Sequence, residues 1–288
     1  MNVLTLIAPP RELDPTLVAH LRDALGGTSS TTLSDREAAD ITLPASPDMN
    51  AVRDILAGTP IDAVTSPIAD RRKRLLIADM DSTIVTGETL DELADFAGLK
   101  DRIAAITRRA MNGEVDFPAA LRERIAMLKG LPLSALEATW ERVRLTDGAR
   151  ELIATMRAHG AITALVSGGF TFFTTRVAAL TGFDVHRANV LLDDGASLIG
   201  RVAEPILDRN AKLHTLQELA AAHDIPMEQT MAVGDGANDL PMLQAAGLGV
   251  AFHAKPVVAT EARARIDHTG LRALLFIQGY SAGAIASG

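Results

Sequence analysis

The 288-residue sequence predicts an α/β protein with a mostly parallel sheet, preceded by a small α+β unit. From Leu75 onward, short apolar runs that suit buried strands alternate with stretches of helical periodicity. This order is typical of parallel strands joined by crossover helices. The first 70 or so residues follow a different pattern, which predicts a separate unit in front of the parallel sheet.

Composition and charge restrict the classes of function. A hydrophobic content of 48% with 22% charged residues predicts a globular protein with an ample core, and a net charge of -8 argues against a nucleic-acid partner. No apolar run is long enough for a membrane span, the first residues lack the basic start of a secretory signal, and the absence of cysteine excludes disulfides and thiolate metal sites. We therefore expect a soluble cytoplasmic protein.

The N-terminal unit is predicted to alternate strands and helices, as a small α+β sandwich does. The basic run that follows it, residues 71–74, is expected to be a solvated junction, and the C-terminal tail, residues 280–288, is expected to fray. The predicted strands are VLTLIA, ADITLPA and IDAVTSP, and the predicted helices are DPTLVAHLRDALGG and NAVRDILAG.

Two insertions interrupt the parallel-sheet pattern. Residues 91–146 are helical in pattern throughout and are expected to form a cap over the strand ends, whereas residues 186–205 contain a hairpin signal at Asp194–Gly195. The helices ARELIATMRAHG and NAKLHTLQELAAAHD lie between strands. The predicted strands are LLIADM (75–80), ITALVSGG (162–169), TMAVGDG (230–236), GLGVAF (247–252) and a weaker IDHT (266–269).

Polar side chains follow the predicted parallel strands at the points where the strands end. In open α/β sheets ligands bind outside the carboxyl ends of the strands, so these side chains are expected to converge. They are Asp79 and Asp81 after the first strand, Ser167, Gly168 and Gly169 at the second, Asp235, Asn238 and Asp239 in GDGAND, and Lys212 near the start of a helix.

This mixture of groups fits phosphoryl transfer. Clustered carboxylates repel one another unless a cation lies among them, and hard oxygen ligands suit Mg²⁺. Ser167 and glycine N–H groups could cradle phosphate oxygens, with Lys212 adding positive charge. Asp79 becomes the candidate nucleophile and Asp81 the candidate general acid and base. Each motif alone also fits an ordinary turn, and their joint placement favours the site.

The motifs DMDST, SGG, Lys212 and GDGANDLPML resemble, in order, the four motifs of the haloacid dehalogenase superfamily of phosphatases. Within it, GETLDELA and AFHAKP are similar to the phosphoserine phosphatases, and the resemblance covers roughly residues 73–280. It implies a Rossmann-like core with a helical cap, and Mg²⁺-dependent hydrolysis of O-phospho-L-serine through a phospho-aspartate, as in serine biosynthesis. The N-terminal unit resembles an ACT-like domain, so we expect domains at 1–70 and 71–288, with the cap at about 91–146.

The resemblance also implies roles for the residues at the strand ends. Asp79 resembles the nucleophile, and Asp81 the general acid and base. The implied phosphate-binding residues are Ser167, Gly168 and Lys212. The implied Mg²⁺ ligands are the Asp79 carboxylate, the Asp81 main-chain carbonyl and Asp235, supported by Asp239 and by Asn238, which is also placed among the substrate-binding residues.

Further residues match positions that bind the substrate in the family. Glu88 matches the residue that binds the amine, and Arg124 matches the cap residue that binds the carboxylate. Phe117 and Met111 resemble apolar residues that close the pocket. Other interpretations stay open: Glu88 also suits the first turn of a helix, Arg124 a solvated helix face, and Phe117 and Met111 the interior of the cap.

Alternative functions also stay open at this point. The same chemistry could act on another small phosphomonoester or transfer the phosphoryl group to homoserine. A non-catalytic amino-acid sensor is a third alternative, although a sensor has no need for both Asp79 and Asp81. The N-terminal unit is compatible with a regulatory serine site, with dimerisation as a homodimer, or with a purely structural role.

Overall fold

The structure is a computed structural model that describes residues 1–111, 114–207 and 209–288. The described residues form a four-stranded sheet, a six-stranded sheet and a two-stranded hairpin. Within these ranges, no helix is both long and apolar enough to cross a membrane.

The N-terminal unit is an antiparallel sheet covered by two helices, in the order strand, helix, strand, strand, helix, strand. Three predicted strands and both helices are confirmed, but β2 was not predicted, because Leu33 is its only apolar residue and most of the strand is exposed. The sheet order is β2-β3-β1-β4. The elements are β1 (Asn2–Ile7), α1 (Pro15–Ala24), β2 (Ser29–Ser34), β3 (Ala38–Leu43), α2 (Met49–Ile55) and β4 (Asp62–Pro67).

The second sheet is parallel throughout and has the order β12-β11-β10-β5-β6-β7. The chain enters at β5 in the middle, continues outward to β7 and returns to β10 on the other side of β5. This change of direction between β5 and β10 is where such sheets bind ligands. The strands are β5 (Leu75–Ala78), β6 (Ile162–Phe170), β7 (Val185–Asn189), β10 (Thr230–Gly234), β11 (Leu248–Phe252) and β12 (Ala264–Ile266).

Alternate residues of this sheet face two layers of helices. Leu76 of β5 belongs to the same apolar cluster as Leu152 of one layer, and Leu75 to the same cluster as Leu216 of the other. Two strand predictions need correction: β7 joins the main sheet instead of the hairpin, and β12 shares only Ile266 with the predicted IDHT strand. The layer with Leu152 consists of α7 (Ala149–Ala158), α8 (Thr171–Thr181) and α12 (Ala273–Ile277). The layer with Leu216 consists of α9 (Arg209–Ala222), α10 (Leu240–Ala245) and α11 (Pro256–Glu261).

The region after β5 is helical, as the sequence predicts for the cap. Its described residues form four helices, and a hairpin packs against them. The hairpin pairs with the segment after α5 through main-chain bonds: Gly130 N–H donates to the Leu198 carbonyl at 2.8 Å, and Leu198 N–H donates to the Leu131 carbonyl at 2.9 Å. The cap helices are α3 (Thr89–Phe96), α4 (Lys100–Met111), α5 (Phe117–Ala126) and α6 (Ser134–Trp140), and the hairpin strands are β8 (Leu191–Asp193) and β9 (Leu198–Val202).

The prediction of a solvated junction at residues 71–74 fails at Arg71, although Arg72 and Arg74 are exposed as expected. The Arg71 side chain is only 14% exposed and forms a two-pronged ion pair with Asp40, at 2.6 and 2.7 Å. It also donates to the Ile277 carbonyl at 2.6 Å. Gly279 leaves room for it, since a methyl group there would lie 2.8 Å from Nη1 of Arg71. Arg71 therefore joins the N-terminal sheet to α12, the last helix that packs on the larger sheet.

The tail does not fray as expected, because it packs on the core. Tyr280 is 1% exposed, and the guanidinium of Arg72 lies 4.4 Å from the centre of its ring. Ala286 N–H donates to the Thr155 hydroxyl at 2.9 Å. Backbone hydrogen bonding and burial therefore hold the last residues against α7.

The N-terminal sheet has an apolar cluster of its own and also contributes residues to one cluster of the larger sheet. Ile7 and Val64 of the first sheet belong to the same cluster of buried residues as Phe276. The Asp62 carboxylate accepts hydrogen bonds from the N–H groups of Asp267, at 2.7 Å, and Thr269, at 2.9 Å. The division into domains of residues 1–70 and 71–288 stays a prediction, because the parts bury surface against each other.

We expect Arg71→Ala to lower the free energy of unfolding by about 3–5 kcal/mol, because it leaves the buried Asp40 carboxylate without its cation. Arg22→Ala is the matched control, since Arg22 pairs with the exposed Asp23, and it should cost less than about 1 kcal/mol. Urea unfolding of both variants measures the difference. Equal losses in the two variants would contradict this account of the junction.

Candidate active site

The β5 strand ends at the first predicted site residue, Asp79. Its N–H continues the hydrogen bonding between β5 and β10 by donating to the Val233 carbonyl at 3.0 Å. Its Oδ1 accepts a hydrogen bond from Met80 N–H at 2.7 Å. Asp79 is 6% exposed. The chain then makes a wide helical turn over Met80–Ile84, in which Ser82 has a left-handed φ of 53°. This turn separates Asp79 from Asp81.

Lys212, on the first turns of α9, reaches the ends of two strands. Its Nζ lies 2.7 Å from Oδ2 of Asp79 and 2.5 Å from Oδ1 of Asp239. The side chain is 3% exposed, and burial alone would lower the pKa of Lys212. The charges of Asp239 and Asp79 outweigh that effect and hold this pKa above its usual value, so the group stays an ammonium ion.

Asp79, Asp235 and Asp239 form a buried acidic cluster, with one oxygen of each within 4.8 Å of the others. Burial raises the pKa of Asp235 to about 6, and the charge of Asp79 adds to the rise. Asp239 accepts from Gly236 N–H at 3.0 Å, while a methyl group on Gly234 would lie 2.4 Å from its Cγ. Buried, mutually repelling oxygen donors suit a hard divalent cation, so these residues fit a metal.

The Asp81 carboxylate lies apart from that cluster and links the cap to β6. Its Oδ1 accepts from Thr89 N–H, the first residue of α3, at 2.8 Å, and its Oδ2 accepts from the Ser167 hydroxyl at 3.3 Å. Burial raises the pKa of Asp81 to about 7, and the negative charge of Glu88 adds to this rise. A carboxyl group with a pKa near neutrality can both donate and accept a proton.

The predicted phosphate-binding segment is an outward bulge of β6. Ser167 is 1% exposed, and its hydroxyl accepts from Gly169 N–H at 2.9 Å. A methyl group on Gly169 would lie 3.0 Å from Oδ2 of Asp81, so glycine keeps this space open. A methyl group on Gly168 would lie 3.4 Å from Cζ of Phe117, which places that cap residue against the bulge.

Arg124 differs from its neighbours on α5. Arg122 and Glu123 are ion-paired, with Glu204 at 2.7 Å and Arg109 at 3.0 Å. The half-buried Arg124 bonds to neutral groups in the structure, and its Nη1 donates to the Thr107 hydroxyl at 3.4 Å. Burial lowers the pKa of Arg124, and the charges of Asp91 and Glu88 oppose that shift.

Glu88 contacts the turn that follows Asp79. It immediately precedes α3, is exposed, and accepts a hydrogen bond from the Ser82 hydroxyl at 2.8 Å. Its negative charge acts on Asp81, Arg124 and Asp235. The structure therefore brings Glu88 into the electrostatic environment of the predicted reaction centre.

The structure gives little information about the predicted roles of two residues, Asn238 and Met111. Asn238 is exposed, and its Oδ1 is close to Gly236, where a methyl group would lie 2.3 Å away. Met111 ends α4, but its side chain lies outside the part of the chain that the structure describes. The expected metal contact of Asp81 concerns its main-chain carbonyl. The roles that the sequence assigns to these residues, and to the other predicted site residues, stay predictions.

Sequence reasoning missed three contributors to the site. Thr89 supplies the N–H that holds Asp81. Lys255 lies in the AFHAKP segment, where its N–H donates to the Asp235 carbonyl at 3.2 Å and its Nζ is 4.0 Å from Oδ2 of Asp235. Asn189 donates to the Gly168 carbonyl at 2.9 Å. The AFHAKP motif pointed to Lys255, whereas no local signal pointed to the other two.

A cavity of about 510 Å³ lies elsewhere, between α2, β4 and the edge strand β12. Arg53, Asp62 and Arg265 are among its lining residues. None of the predicted site residues lines it. The convergence of charged side chains, and not this cavity, therefore marks the candidate site.

Comparison with known proteins identifies a family that the chain matches. A model of the family described as haloacid dehalogenase-like hydrolase matches residues 76–244. A phosphoserine phosphatase of Archaeoglobus fulgidus is 43% identical over 213 residues, which cover 73% of this chain and 62% of that relative. This chain therefore matches less than two thirds of that relative's length.

Solved structures show the same fold. A haloacid dehalogenase family hydrolase of Salmonella enterica subsp. enterica serovar Typhi is 34% identical, with a TM-score of 0.85 and coverage of 96% of this chain and 98% of that chain. A phospho-aspartyl intermediate analogue of phosphoserine phosphatase is 39% identical, with a TM-score of 0.66 over 71% of this chain and 98% of that one. Because the family model covers more than half of its residues, the chain belongs to the haloacid dehalogenase-like hydrolase family.

Proposed function

We propose that this protein is a Mg²⁺-dependent phosphatase that hydrolyses O-phospho-L-serine to L-serine and phosphate through a phospho-aspartate on Asp79. The observation that carries the proposal is the pairing of two different carboxyl groups. Asp79 is ion-paired with Lys212 at 2.7 Å, whereas burial raises the pKa of Asp81, two residues on, to about 7. The named relative and the phospho-aspartyl analogue structure support the same reaction.

In the first half of the proposed reaction, a carboxylate oxygen of Asp79 attacks the phosphorus atom. The bond between phosphorus and the seryl oxygen breaks, and that oxygen takes the proton of Asp81. Lys212 offers positive charge to the phosphoryl oxygens, as do the N–H groups of the bulge. Ser167 bonds to Asp81 at 3.3 Å, which keeps the acid beside the phosphate-binding segment.

In the second half, Asp81 is ionised and takes a proton from a water molecule. The oxygen of that water attacks phosphorus, the bond to Asp79 breaks, and phosphate leaves. The same carboxyl group can serve both halves because its pKa of about 7 leaves the two protonation states similarly populated at neutral pH. Closure of the cap over the bulge, where Phe117 contacts Gly168, would exclude other water molecules.

The proposed Mg²⁺ site uses Asp79, Asp235 and the main-chain carbonyl of Asp81, with Asp239 and Asn238 in support. The oxygen donors and the mutual repulsion of the buried carboxylates favour a hard divalent cation. When bound, Mg²⁺ supplies positive charge that lets the Asp79 carboxylate approach the phosphate dianion.

Selectivity for a phosphorylated amino acid is proposed to come from the cap. Arg124 is half-buried without a carboxylate partner within 4 Å in the described ranges, so it is available for the carboxylate of the substrate. Glu88 would bind the amine. Phe117, and Met111 at the end of α4, would close the pocket. The cytoplasmic location and the homodimer stay predictions.

Mg²⁺ at about 100 times its Kd should stabilise the protein by about 2.7 kcal/mol. Asp235→Asn should lose this stabilisation, because it removes one charged ligand from the cluster. The exposed Asp35, in the turn before β3, provides the control variant Asp35→Asn, which should respond as the wild type does. Thermal melts with Mg²⁺ and with chelator measure the effect. An unchanged response of Asp235→Asn would contradict the assigned metal site.

Phosphate release should be faster from O-phosphoserine than from other small phosphomonoesters, and a chelator should abolish it. Arg124→Ala should lower kcat/KM for O-phosphoserine by about 10- to 100-fold, through loss of a charged hydrogen bond. Its effect on O-phosphoethanolamine, which lacks the carboxylate, should stay within about threefold. Steady-state assays with both esters measure the contrast.

Arg122→Ala is the matched control, since Arg122 pairs with Glu204 on the exposed side of α5. It should leave the ratio of the two kcat/KM values unchanged. Equal losses on both esters in Arg124→Ala would show that Arg124 is structural. Absence of any preference for O-phosphoserine would overturn the substrate, and turnover unaffected by chelator would overturn the metal.

A further inference from the structure

Asn189 is a buried amide that joins two segments of the site. It is the last residue of β7 and is 3% exposed. Its Nδ2 donates to the Gly168 carbonyl at 2.9 Å, and its Oδ1 accepts from Leu207 N–H at 2.8 Å. Only one orientation of the amide satisfies both a carbonyl and an N–H group, so its direction is fixed.

The Gly168 carbonyl needs this partner because the sheet does not supply one. The β6–β7 ladder pairs Val166 with Arg187 and then Phe170 with Asn189, so residues 167–169 lie opposite residue 188 alone. Such a bulge removes main-chain hydrogen bonds from the ladder. Asn189 replaces one of them at the point where the bulge projects toward the site.

The same hydrogen bond restricts the orientation of one peptide group. The Gly168 carbonyl and the Gly169 N–H belong to one planar unit and point in opposite directions. Asn189 holds the carbonyl, and the N–H donates to the Ser167 hydroxyl, which bonds to Asp81. Two adjacent glycines would otherwise let this unit rotate and turn a carbonyl oxygen toward a bound anion.

The Oδ1 atom of Asn189 accepts its hydrogen bond from the segment that precedes α9. Leu207 lies in the segment that leads into α9, and Lys212 lies near the start of that helix. The segment is held at a second point, where Ala203 N–H donates to the Val190 carbonyl at 2.9 Å. Asn189 thus connects the bulge with the residue that precedes, by two positions, the helix carrying Lys212.

We propose that Asn189 is a positioning residue that fixes the Gly168–Gly169 peptide and, through its N–H, the Ser167 hydroxyl relative to Lys212, so that Ser167 and Lys212 bind the same phosphoryl group. The inference rests on the proposed phosphatase function. Asn189 itself does not contact the reacting atoms. Its effect should therefore fall on phosphate affinity and on kcat, and not on binding of the amino-acid part of the substrate.

The test is calorimetric binding of inorganic phosphate to the Mg²⁺-loaded protein. Asn189→Asp keeps the acceptor for Leu207 N–H but removes the donor to Gly168, and should weaken phosphate binding by about tenfold or more. Inhibition by L-serine should stay within about twofold of the wild type. Asn189→Ala removes both hydrogen bonds without adding a charge and repeats the test if the first variant does not fold.

Gln278 provides a matched control. It is 1% exposed, donates to the Leu274 carbonyl at 3.0 Å and accepts from Lys73 N–H at 3.0 Å, before the start of β5. Gln278→Glu should lower the melting temperature but leave phosphate affinity unchanged, because this amide lies at the opposite end of the strand from Asp79.

Wild-type phosphate affinity in both Asn189 variants would overturn the proposal, as would an equal loss in Gln278→Glu. Failure of both Asn189 variants to fold would also contradict it, since Asn189 would then serve general stability. The proposed function fails separately: a wild type that binds phosphate but does not hydrolyse O-phosphoserine would refute the substrate and leave the role of Asn189 intact.

Discussion

One buried ammonium group holds the reactive edge of this protein together. Nζ of Lys212 contacts both Asp79, at the end of β5, and Asp239, after β10. A buried ammonium without partners would strongly destabilise the fold, and buried carboxylates without a cation would do the same. The two requirements are met together only when α9 and the two strand ends occupy their observed positions. The strand order, which reverses between β5 and β10, makes this contact possible.

The ammonium also divides the neighbouring carboxyl groups into two kinds. Asp79 lies against Lys212, whereas the wide turn that follows directs Asp81 to Thr89 N–H and the Ser167 hydroxyl. Removal from water raises the pKa of Asp81 to about 7. Two carboxyl groups that are two residues apart therefore lie in different surroundings, one against an ammonium and the other against an N–H and a hydroxyl, which suits combined nucleophilic and acid–base chemistry.

The sequence predicts the strand-end chemistry because residue type and strand position are local properties. Asp79, Ser167 and Asp235 lie where the end of an apolar run places them. Arg71 is different, because the basic run around it predicts exposure. Its burial depends on the ion pair with Asp40, which lies on a strand that the order of the N-terminal sheet brings near. The roles of Asn189 and β2 likewise depend on sheet register, which a single sequence does not display. Local chemistry is thus predictable, and long-range pairing is not.

The most direct test is to trap the covalent intermediate on Asp79. In Asp81→Asn the attacking water lacks its base, so the phospho-aspartate should accumulate when the protein is mixed with Mg²⁺ and p-nitrophenyl phosphate, whose leaving group needs no proton from Asp81, and then acid-quenched. Mass spectrometry should find one added phosphoryl group on the peptide that contains residue 79, and none in the same peptide of Asp79→Asn. Phosphate release without any such adduct, or an adduct on another residue, would contradict the account.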